Sequence, residues 1–516
     1  MLPGKDAVQN DDWGDEGIEP SVWRYAKASR AHVVIDAADY FDVARIAMTQ
    51  ARQRIFIVGW DVDTRILLTS GRRWWHLPHK GHFPARLGSF VLWVARRTPG
   101  LEVKLLKWNF SLVKSIFRGT MVVDLLRWVK NDSIDFKFDS AHPVGCSHHQ
   151  KILVIDDKFA ACGGIDMTTD RWDTREHVHN DPRRKRPAGR HYDPWHDATM
   201  LLEGEVARAL SALGRARWEA AGGEQLAPCR PQQESAWPEP VEAEFRDVEI
   251  GIARTRARYG ECSQISEIES LFVDHIARAK RFIYAETQYF ASRRIAEAIC
   301  ERLSEPDPPE IVIVNPLHAD GWLEQVAMDS ARAELREVVH AVDHAGRFRI
   351  YTPYTSGGTP IYVHAKITII DDEILRVGSA NMNNRSMGLD SECDVFIDCA
   401  RPSNAGCGPA ITDLRHSLIA EHCGVSIEDV AAGLEQHGSM IAFIESLPQT
   451  GKRLEILPLQ EISETERALA QAAVFDPERP EEMFEPISKR GLFKRKGYLR
   501  RTRNMLEKIK ARRKKG

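Results

Sequence analysis

A short pattern of charged residues occurs twice in this chain, and the repeat restricts the folds that the sequence can adopt. The first copy, SHHQKILVIDD, spans Ser147–Asp157, and the second, VHAKITIIDD, spans Val363–Asp372. The two histidines are 215 residues apart, and the His, Lys, Asp and Gly positions have identical spacing within each copy. Two such matches are very improbable by chance, so we interpret them as an internal repeat.

The repeat supplies two corresponding sets of candidate site residues, which are not chemically equal because Gly164 and Asp166 in the first copy correspond to Ser379 and Asn381 in the second. The candidate catalytic residues are His149, Lys151 and Asp156 in the first copy and His364, Lys366 and Asp371 in the second. The residues that follow them are Gly163, Gly164 and Asp166 in the first copy and Gly378, Ser379 and Asn381 in the second. Residues two apart in a strand share a face, so each His points the same way as its Lys. The two motif aspartates follow predicted buried strands, where they either anchor local structure or reach a neighbouring group.

The segments around the motifs repeat as well. Short apolar runs alternate with amphipathic helical stretches, such as Pro84–Arg97 and Ser292–Ser304, which predicts an α/β fold. Each half ends on an acid that opens a further alternating run, Asp197 in the first half and Glu392 in the second. We therefore expect two pseudo-symmetric α-β-α layered halves that meet face to face in one bilobal unit.

The predicted domain limits follow from this repeat and from local composition. The segment 227–244 is rich in Pro and Glu and marks the boundary between halves. We expect an N-terminal extension at 1–30 and a first half at 31–235. A second half is expected at 236–425, with a C-terminal extension at 426–488 and a polybasic tail at 489–516.

Composition excludes several classes of protein. With 516 residues, of which 43% are apolar, the chain can bury large cores. The N-terminus lacks the pattern of a secretory signal, and the apolar run Leu87–Ala95 is too short to span a membrane. Nine irregularly spaced cysteines predict reduced thiols. These features predict a cytoplasmic protein that forms a monomer and needs no protein partner.

The paired motifs suit attack on a phosphodiester. Two lysines can stabilise the negative charge that develops on the phosphoryl oxygens. One His can act as nucleophile and the other as acid and base, and Asp197 and Glu392 can orient the imidazoles. Asn381 and Ser379 can form hydrogen bonds at the phosphate, and the glycines permit close approach of the backbone. This chemistry requires no cofactor and no metal.

The chain resembles the phospholipase D superfamily, whose signature is H-x-K-x4-D-x6-G-[GS]. Several flanking stretches are similar to those of lipid-hydrolysing members. They are GGIDMTTDRWDT from Gly163, PWHD from Pro194, LEG from Leu202, IYAETQYF from Ile283, NNRS from Asn383 and DSE from Asp390. The resemblance spans roughly Val33 to Cys423.

The resemblance implies hydrolysis of glycerophospholipids of the phosphatidylcholine type to phosphatidic acid and a free headgroup. It further implies transfer to an alcohol in place of water, with His149 as nucleophile and His364 as acid and base. Two alternatives remain, a phosphatidyl transferase of the cardiolipin synthase type and a phosphodiesterase that acts on nucleic acid. The N-terminal membrane helices common in cardiolipin synthases are not recognisable in the sequence, and nuclease members often have a single motif copy.

Three further segments have more than one interpretation. The tail has 14 Lys or Arg residues against one acid, which favours binding to anionic lipids at a membrane surface over binding nucleic acid or remaining solvated. The Trp-containing segment Gly71–Phe83 is either a membrane-interface loop or a loop over the cleft. The basic segment Asn180–Asp193 is either a solvated insertion or a lid. His148, on the opposite strand face from His149, is predicted to be structural, and the His and Cys residues near the first motif have no standard zinc spacing.

Overall fold

The computed structural model describes residues 18–69, 83–109, 121–319 and 322–458. Most of the Trp-containing segment, residues 71–82, and the whole polybasic tail therefore lie outside the described residues. Within the described ranges, no helix combines the length and the apolar character needed to cross a bilayer.

The first half contains a mixed sheet flanked by helices. Its elements in chain order are β1 (Arg24–Ile35), α1 (Ala37–Gln50), β2 (Arg54–Gly59), α2 (Leu87–Arg97), β3 (Glu102–Trp108), α3 (Met121–Val129), β4 (Ile134–Asp139), β5 (Ile152–Ile155), β6 (Phe159–Gly163), β7 (Trp195–His196), β8 (Ala198–Gly204) and α4 (Glu205–Ala220). The strand order is β4-β3-β2-β5-β6-β8-β1, with parallel pairing among β2, β3 and β4 and antiparallel pairing elsewhere.

The second half repeats this arrangement strand for strand. Its elements are β9 (Phe245–Arg256), β10 (Ile265–Ser266), α5 (Glu267–Arg278), β11 (Phe282–Glu286), α6 (Arg293–Leu303), β12 (Glu310–Val314), α7 (Trp322–His340), β13 (Phe348–Tyr354), β14 (Tyr362–Val363), β15 (Ile367–Ile370), β16 (Ile374–Gly378), α8 (Asn384–Gly388), β17 (Glu392–Asp398), a 3-10 turn (Pro402–Asn404), α9 (Gly408–Cys423), α10 (Ile427–His437), α11 (Met440–Ser446) and β18 (Arg453–Ile456). The order β13-β12-β11-β15-β16-β17-β9 mirrors the first half, and β18 adds one strand beyond β13.

The two sheets join into one continuous sheet through their last strands. β1 pairs antiparallel with β9, which is the pairing expected when a pseudo-twofold axis relates the halves. Near this junction β6 and β17 approach each other, and the Cys162 Sγ lies 3.6 Å from the Cys393 carbonyl oxygen. The halves therefore share one sheet through β1 and β9 and also make contact through β6 and β17. The sequence did not predict this junction.

Each sheet is covered by helices on both faces. One core, shared by both halves, packs α4, α9, α10 and α11 against one face. The opposite face of the first half packs on α1 and α2, and that of the second half packs on α5, α6 and α7. The four residues of β5 and those of β15 are all buried, as expected for Ile- and Val-rich strands covered on both faces. The predicted α/β class with two layered halves is thereby confirmed.

The predicted domain limits stay a prediction. β1 begins at Arg24, before the expected start of the first half, and β18 ends at Ile456, after the expected end of the second. The Pro- and Glu-rich boundary segment lies between α4 and β9.

Candidate active site

The two histidines and two lysines of the repeat lie immediately before β5 and β15. In each motif the Lys ammonium donates a hydrogen bond to the carbonyl oxygen of its own His. For Lys151 Nζ and His149 O the distance is 2.8 Å, and Lys366 makes the same contact with His364. Each ammonium therefore stays near its own imidazole, and its positive charge helps to lower the pKa of that histidine.

Each imidazole is held by a carboxylate of the other half. His149 Nδ1 lies 2.9 Å from Glu392 Oε2 and 3.0 Å from Glu392 Oε1. His364 Nδ1 lies 2.7 Å from Asp197 Oδ2. Because a carboxylate accepts the Nδ1 proton, the Nε2 atom of each ring is the one available for reaction. The sequence predicted both acids as orienting groups, and the tertiary structure pairs each with the distant histidine.

Backbone hydrogen bonds between the halves fix this exchange. His149 N donates to Ser391 O at 3.0 Å, and Ser391 N donates to Ser147 O at 2.9 Å. In the related position β14 pairs parallel with β7, and His364 N donates to His196 O at 2.7 Å. Each motif therefore lies beside the acid-bearing segment of the opposite half, and the site cannot form within one half alone.

Two hydroxyl groups support Glu392. Ser379 Oγ donates to Glu392 Oε2 at 2.6 Å, and Ser386 Oγ donates to Glu392 Oε1 at 2.7 Å. These bonds, together with the His149 Nδ1 proton, favour the charged form of a carboxylate that is otherwise fully buried. The sequence offered Ser379 as a substrate-binding or His-orienting residue, and in the structure its hydroxyl donates to the carboxylate that holds His149. It missed Ser386, although this residue lies in the NNRS stretch that resembles the lipid-hydrolysing relatives.

Gly164 provides the space that Asp197 occupies. A Cβ atom at residue 164 would lie 2.1 Å from Asp197 Oδ1 and 3.3 Å from the His364 carbonyl oxygen. Gly378 is similarly tight, because a Cβ there would lie 1.9 Å from Asp394 Oδ1. Ser379 and Ala380 donate backbone hydrogen bonds to that same Asp394 oxygen. The first of these glycines borders the imidazole–carboxylate pair directly, and the second positions the turn that carries Ser379.

The two lysines have different surroundings. Lys151 Nζ lies 3.3 Å from Asp166 Oδ2, and Asp166 Oδ1 accepts the Trp60 backbone N–H at 3.0 Å. Lys366 is fully buried, and burial together with Lys151 lowers its pKa to about 7. The two halves are therefore chemically unequal, as the Asp166 and Asn381 difference indicated.

Burial sets the charge state of the paired groups. Desolvation and the ammonium groups of Lys151 and Lys366 hold the pKa of His149 well below its usual value. Desolvation, Lys366 and Arg171 have the same effect on the pKa of His364. Desolvation also raises the pKa of Asp197 to about 7 and that of Glu392 to about 8. Desolvation is the largest cause of all four shifts, the nearby positive charges add to it for the two histidines, and the shifts favour neutral imidazoles.

Aromatic rings and a basic loop surround the reactive nitrogens. The Trp60 ring lies 6.2 Å from the His149 ring, and the Trp195 ring lies 5.1 Å from the His364 ring. Beside Trp195 is a cavity of about 700 Å³ that is also lined by Tyr362 and by residues of the loop 180–193. The loop contributes Arg184, Arg186 and Arg190 to this lining. The basic segment thus borders the site instead of projecting away from it.

The motif aspartates lie away from this cluster. Asp156 accepts the backbone N–H groups of Arg52, Gln53 and Arg54, and Asp371 accepts those of Lys280, Arg281 and Phe282. Both residues have positive φ, 53° and 50°, in the hairpin turns after β5 and β15. Each follows a four-residue strand, about 16 Å along the chain from its Lys. Of the two roles open to them, the structure shows local anchoring.

The remaining predicted residues surround the cluster less closely. The Asn381 backbone N–H donates to Ser386 Oγ at 3.1 Å, and its side-chain amide nitrogen donates to Gln288 Oε1 at 3.4 Å. Gly163 packs on Thr199, where a Cβ would lie 2.3 Å from the hydroxyl oxygen. His148 Nδ1 contacts Asp139 Oδ2 at 2.9 Å inside the first half, which confirms its predicted structural role.

Comparison with known proteins agrees with this arrangement. The family model for phospholipase D matches residues 47–298 and 352–441, which is more than half of the chain. Both motif copies lie within the matched segments.

Three relatives illustrate how far the similarity extends. Phospholipase D alpha 1 of Zea mays is 25% identical over 530 aligned positions, covering 76% of this chain and 64% of the maize protein. The chain thus spans less than two thirds of that relative. A probable cardiolipin synthase of Bacillus subtilis is 28% identical over 251 positions, covering 48% of this chain and 42% of the other. Phosphatidylserine synthase of Haemophilus influenzae Rd KW20 has a similar fold, with a TM-score of 0.50 at 13% identity, covering 80% of this chain and 94% of that structure.

Proposed function

The chain belongs to the phospholipase D family, and from that premise we propose that it hydrolyses glycerophospholipids of the phosphatidylcholine type. The products are phosphatidic acid and the free headgroup, and a primary alcohol can replace water as the acceptor. The observation that carries the proposal is the exchanged pairing of two histidines with buried carboxylates, beside two lysines, in one site. The similarity to a plant phospholipase D over most of the chain supports a lipid substrate.

In the first step His149 Nε2 attacks phosphorus and the bond to the headgroup oxygen breaks. The proton that neutralises the leaving oxygen comes from the His364–Asp197 pair. This step needs an unprotonated Nε2 atom on His149. Because the pKa of His149 lies well below its usual value, the imidazole is neutral and Nε2 carries no proton. Lys151 and Lys366 stabilise the charge that builds up on the non-bridging oxygens.

In the second step His364 removes a proton from water or an alcohol, which attacks phosphorus and releases His149. The order of the two roles follows the family. The hydroxyl donors on Glu392 support it, because an imidazole phosphorylated at Nε2 and protonated at Nδ1 carries a positive charge that a carboxylate stabilises. Asp197 accepts the backbone N–H of Ala198 at 2.8 Å and has a different set of donors.

The primary test uses phosphatidylcholine vesicles with a primary alcohol and no added metal. We expect choline release together with phosphatidyl-alcohol. His149→Ala and His364→Ala should each reduce turnover by at least about 10³-fold. His344→Ala replaces an exposed histidine and serves as the matched control. Activity on DNA but not on lipid would overturn the proposal.

A substrate with an activated leaving group separates the two histidine roles. 4-Nitrophenol needs no protonation to leave, so His364→Ala should release one equivalent from phosphatidyl-4-nitrophenol and then stop as a phosphohistidine enzyme. His149→Ala should give no such burst. A burst in His149→Ala and none in His364→Ala would reverse the assignment.

A second candidate function is phosphatidyl transfer to a lipid alcohol. The similarity to the probable cardiolipin synthase of Bacillus subtilis favours it, since this match covers nearly half of the chain. Parallel assays, one with phosphatidylglycerol and one with phosphatidylcholine as the only lipid, distinguish the two activities. Formation of cardiolipin without choline-lipid hydrolysis would favour the transferase.

A further inference from the structure

A second cluster of ionisable side chains lies buried beside the active site. It consists of Asp36 after β1, His177 in the loop after β6, His196 in β7 and Glu421 in α9. The side chains of Asp36, His177 and His196 are at most 1% exposed, and that of Glu421 is 3% exposed. No step of the proposed reaction uses any of these four side chains. Two imidazoles and two carboxylates are ligand types that bind Zn²⁺.

The four facing atoms have the spacing of a metal ligand set. Glu421 Oε1 lies 3.1 Å from His177 Nε2 and 3.0 Å from His196 Nδ1. Asp36 Oδ1 lies 3.3 Å from His196 Nδ1, and Asp36 Oδ2 lies 3.5 Å from His177 Nε2. One ligand atom from each residue lies within 4.8 Å of all the others. Tetrahedral Zn²⁺ at about 2.0–2.1 Å from each ligand holds its ligand atoms about 3.3 Å apart.

Two of these atoms lie within ion-pair distance of their neighbours in the cluster but form no hydrogen bond of acceptable geometry among the described residues. They are His196 Nδ1 and Asp36 Oδ2, and both are buried. A buried polar atom without a partner is unfavourable, so a native structure normally satisfies it. A cation at the centre of the cluster would satisfy both atoms at once. This observation is independent of the clustering of charged residues.

The other nitrogen of each imidazole contacts a further carboxylate. His177 Nδ1 lies 3.0 Å from Asp173 Oδ2, and His196 Nε2 lies 2.7 Å from Glu286 Oε2. Metal-binding histidines usually donate their second N–H to a carboxylate in this way, which fixes the ring and its tautomer. Both imidazoles are therefore oriented so that the nitrogen facing the cluster is the metal-binding one.

We propose that Asp36, His177, His196 and Glu421 bind one Zn²⁺ ion as a structural site. Four protein ligands close the coordination sphere and leave no position for substrate, which is typical of a structural site. The two carboxylates balance the charge of the ion. Zn²⁺ is preferred over Mg²⁺ and Ca²⁺ because half of the ligands are imidazoles.

The site would connect the two halves behind the second motif. Asp36, His177 and His196 come from the first half, and Glu421 comes from α9 of the second. His196 precedes Asp197, the carboxylate on His364, and its carbonyl oxygen accepts the His364 N–H at 2.7 Å. The ion thus fixes the short β7–β14 pairing that carries the His364–Asp197 contact. The proposal does not depend on which substrate the enzyme uses.

The test measures metal in the full-length chain, purified without a chelator or a histidine tag. Elemental analysis should find about one zinc per chain. Removal by a strong chelator should lower the unfolding temperature by about 5 °C or more, and added Zn²⁺ should restore it. Replacement by Co²⁺ should give the visible absorption of a tetrahedral site. Less than about 0.1 zinc per chain, with no response to chelator or Zn²⁺, overturns the proposal and leaves a network of charged imidazoles.

Variants identify the ligands. His177→Ala and Glu421→Gln should each lower the zinc content at least about fivefold. His275→Gln is the matched control, since His275 is also buried but packs against the Phe396 ring, at 5.3 Å between ring centroids, away from the four proposed ligands. Full zinc content in both ligand variants, or loss of zinc in the control alone, assigns the metal elsewhere. If a ligand variant does not fold, the wild-type metal content and the Co²⁺ spectrum still decide. Metal content is measured whether or not the protein cleaves lipid, so this test is independent of the proposed function.

Discussion

Replacing Gly164 by alanine tests the geometry of the His364–Asp197 pair without removing either group. The added Cβ would lie 2.1 Å from Asp197 Oδ1, whereas ordinary contact begins at 3.4 Å. Because the His364 carbonyl oxygen also lies only 3.3 Å from this Cβ, the methyl group has little room to shift away from Asp197. The carboxylate therefore has to move by about 1 Å. A shift of this size breaks the 2.7 Å contact between His364 Nδ1 and Asp197 Oδ2.

The expected cost follows from that displacement. A misplacement of about 1 Å in a catalytic group lowers the rate by about 10²-fold, which is about 2.7 kcal/mol of barrier. We expect kcat/KM for phosphatidyl-alcohol formation to fall by this factor, with at most a modest loss of thermal stability. Gly406→Ala is the control, since a Cβ there meets no atom within 4 Å.

A double variant decides whether Gly164 acts through Asp197. Asp197→Asn alone should lower activity, because the amide no longer stabilises a protonated imidazole. Gly164→Ala in that background should add less than about threefold. If Gly164→Ala keeps wild-type activity, the predicted displacement of Asp197 is wrong. If the activity losses of Gly164→Ala and Asp197→Asn multiply in the double variant, Gly164 does not act through Asp197.

Three further predictions concern the lysines, the motif aspartates and the tail. Burial lowers the pKa of Lys366 to about 7, so the ammonium of the free enzyme loses its charge as the pH rises above 7. We therefore expect kcat/KM to fall by up to about tenfold per pH unit. A flat kcat/KM profile from pH 7 to 9 would contradict this. Asp371→Asn removes charge from a group that accepts three backbone N–H bonds, so the free energy of unfolding should fall by about 1.5–3 kcal/mol in denaturant titrations. The kcat of the folded variant should stay near wild type, and a loss above tenfold would assign Asp371 to catalysis. Deleting residues 489–516 should weaken binding to anionic vesicles in sedimentation assays, by about 1 kcal/mol for each basic residue that reaches the surface; unchanged binding would exclude the tail as a lipid-binding segment.

Much of the fold was predictable because it depends on local patterns. The apolar runs at Ile152–Ile155 and Ile367–Ile370 form β5 and β15 as predicted, since β-branched residues bounded by charged ones favour buried strands. The helical stretch predicted near Ser292–Ser304 forms α6. β1 was not predicted, because Arg24, Lys27 and Arg30 interrupt the apolar pattern in its first seven residues, of which only Ala28 is buried.

The candidate site was predictable in its membership but not in its pairing. The repeat identifies His149, Lys151, His364 and Lys366, because identical spacing places the same side chains on the same strand face in both halves. The sequence could not tell which acid contacts which imidazole. The sequence also could not show that Asp156 and Asp371 lie away from the reactive groups. A position at a strand end is compatible both with anchoring local structure and with reaching a neighbouring group.

The sequence alone determined that this chain contains two copies of a His–Lys motif, each set before a buried strand in an α/β half, because spacing and periodicity are local properties. Only the tertiary structure decided that each histidine relies on the carboxylate of the opposite half and that Asp36, His177, His196 and Glu421 converge behind it. Those contacts join residues up to 244 positions apart in the chain, and they arise only once β1 and β9 bring the two halves together.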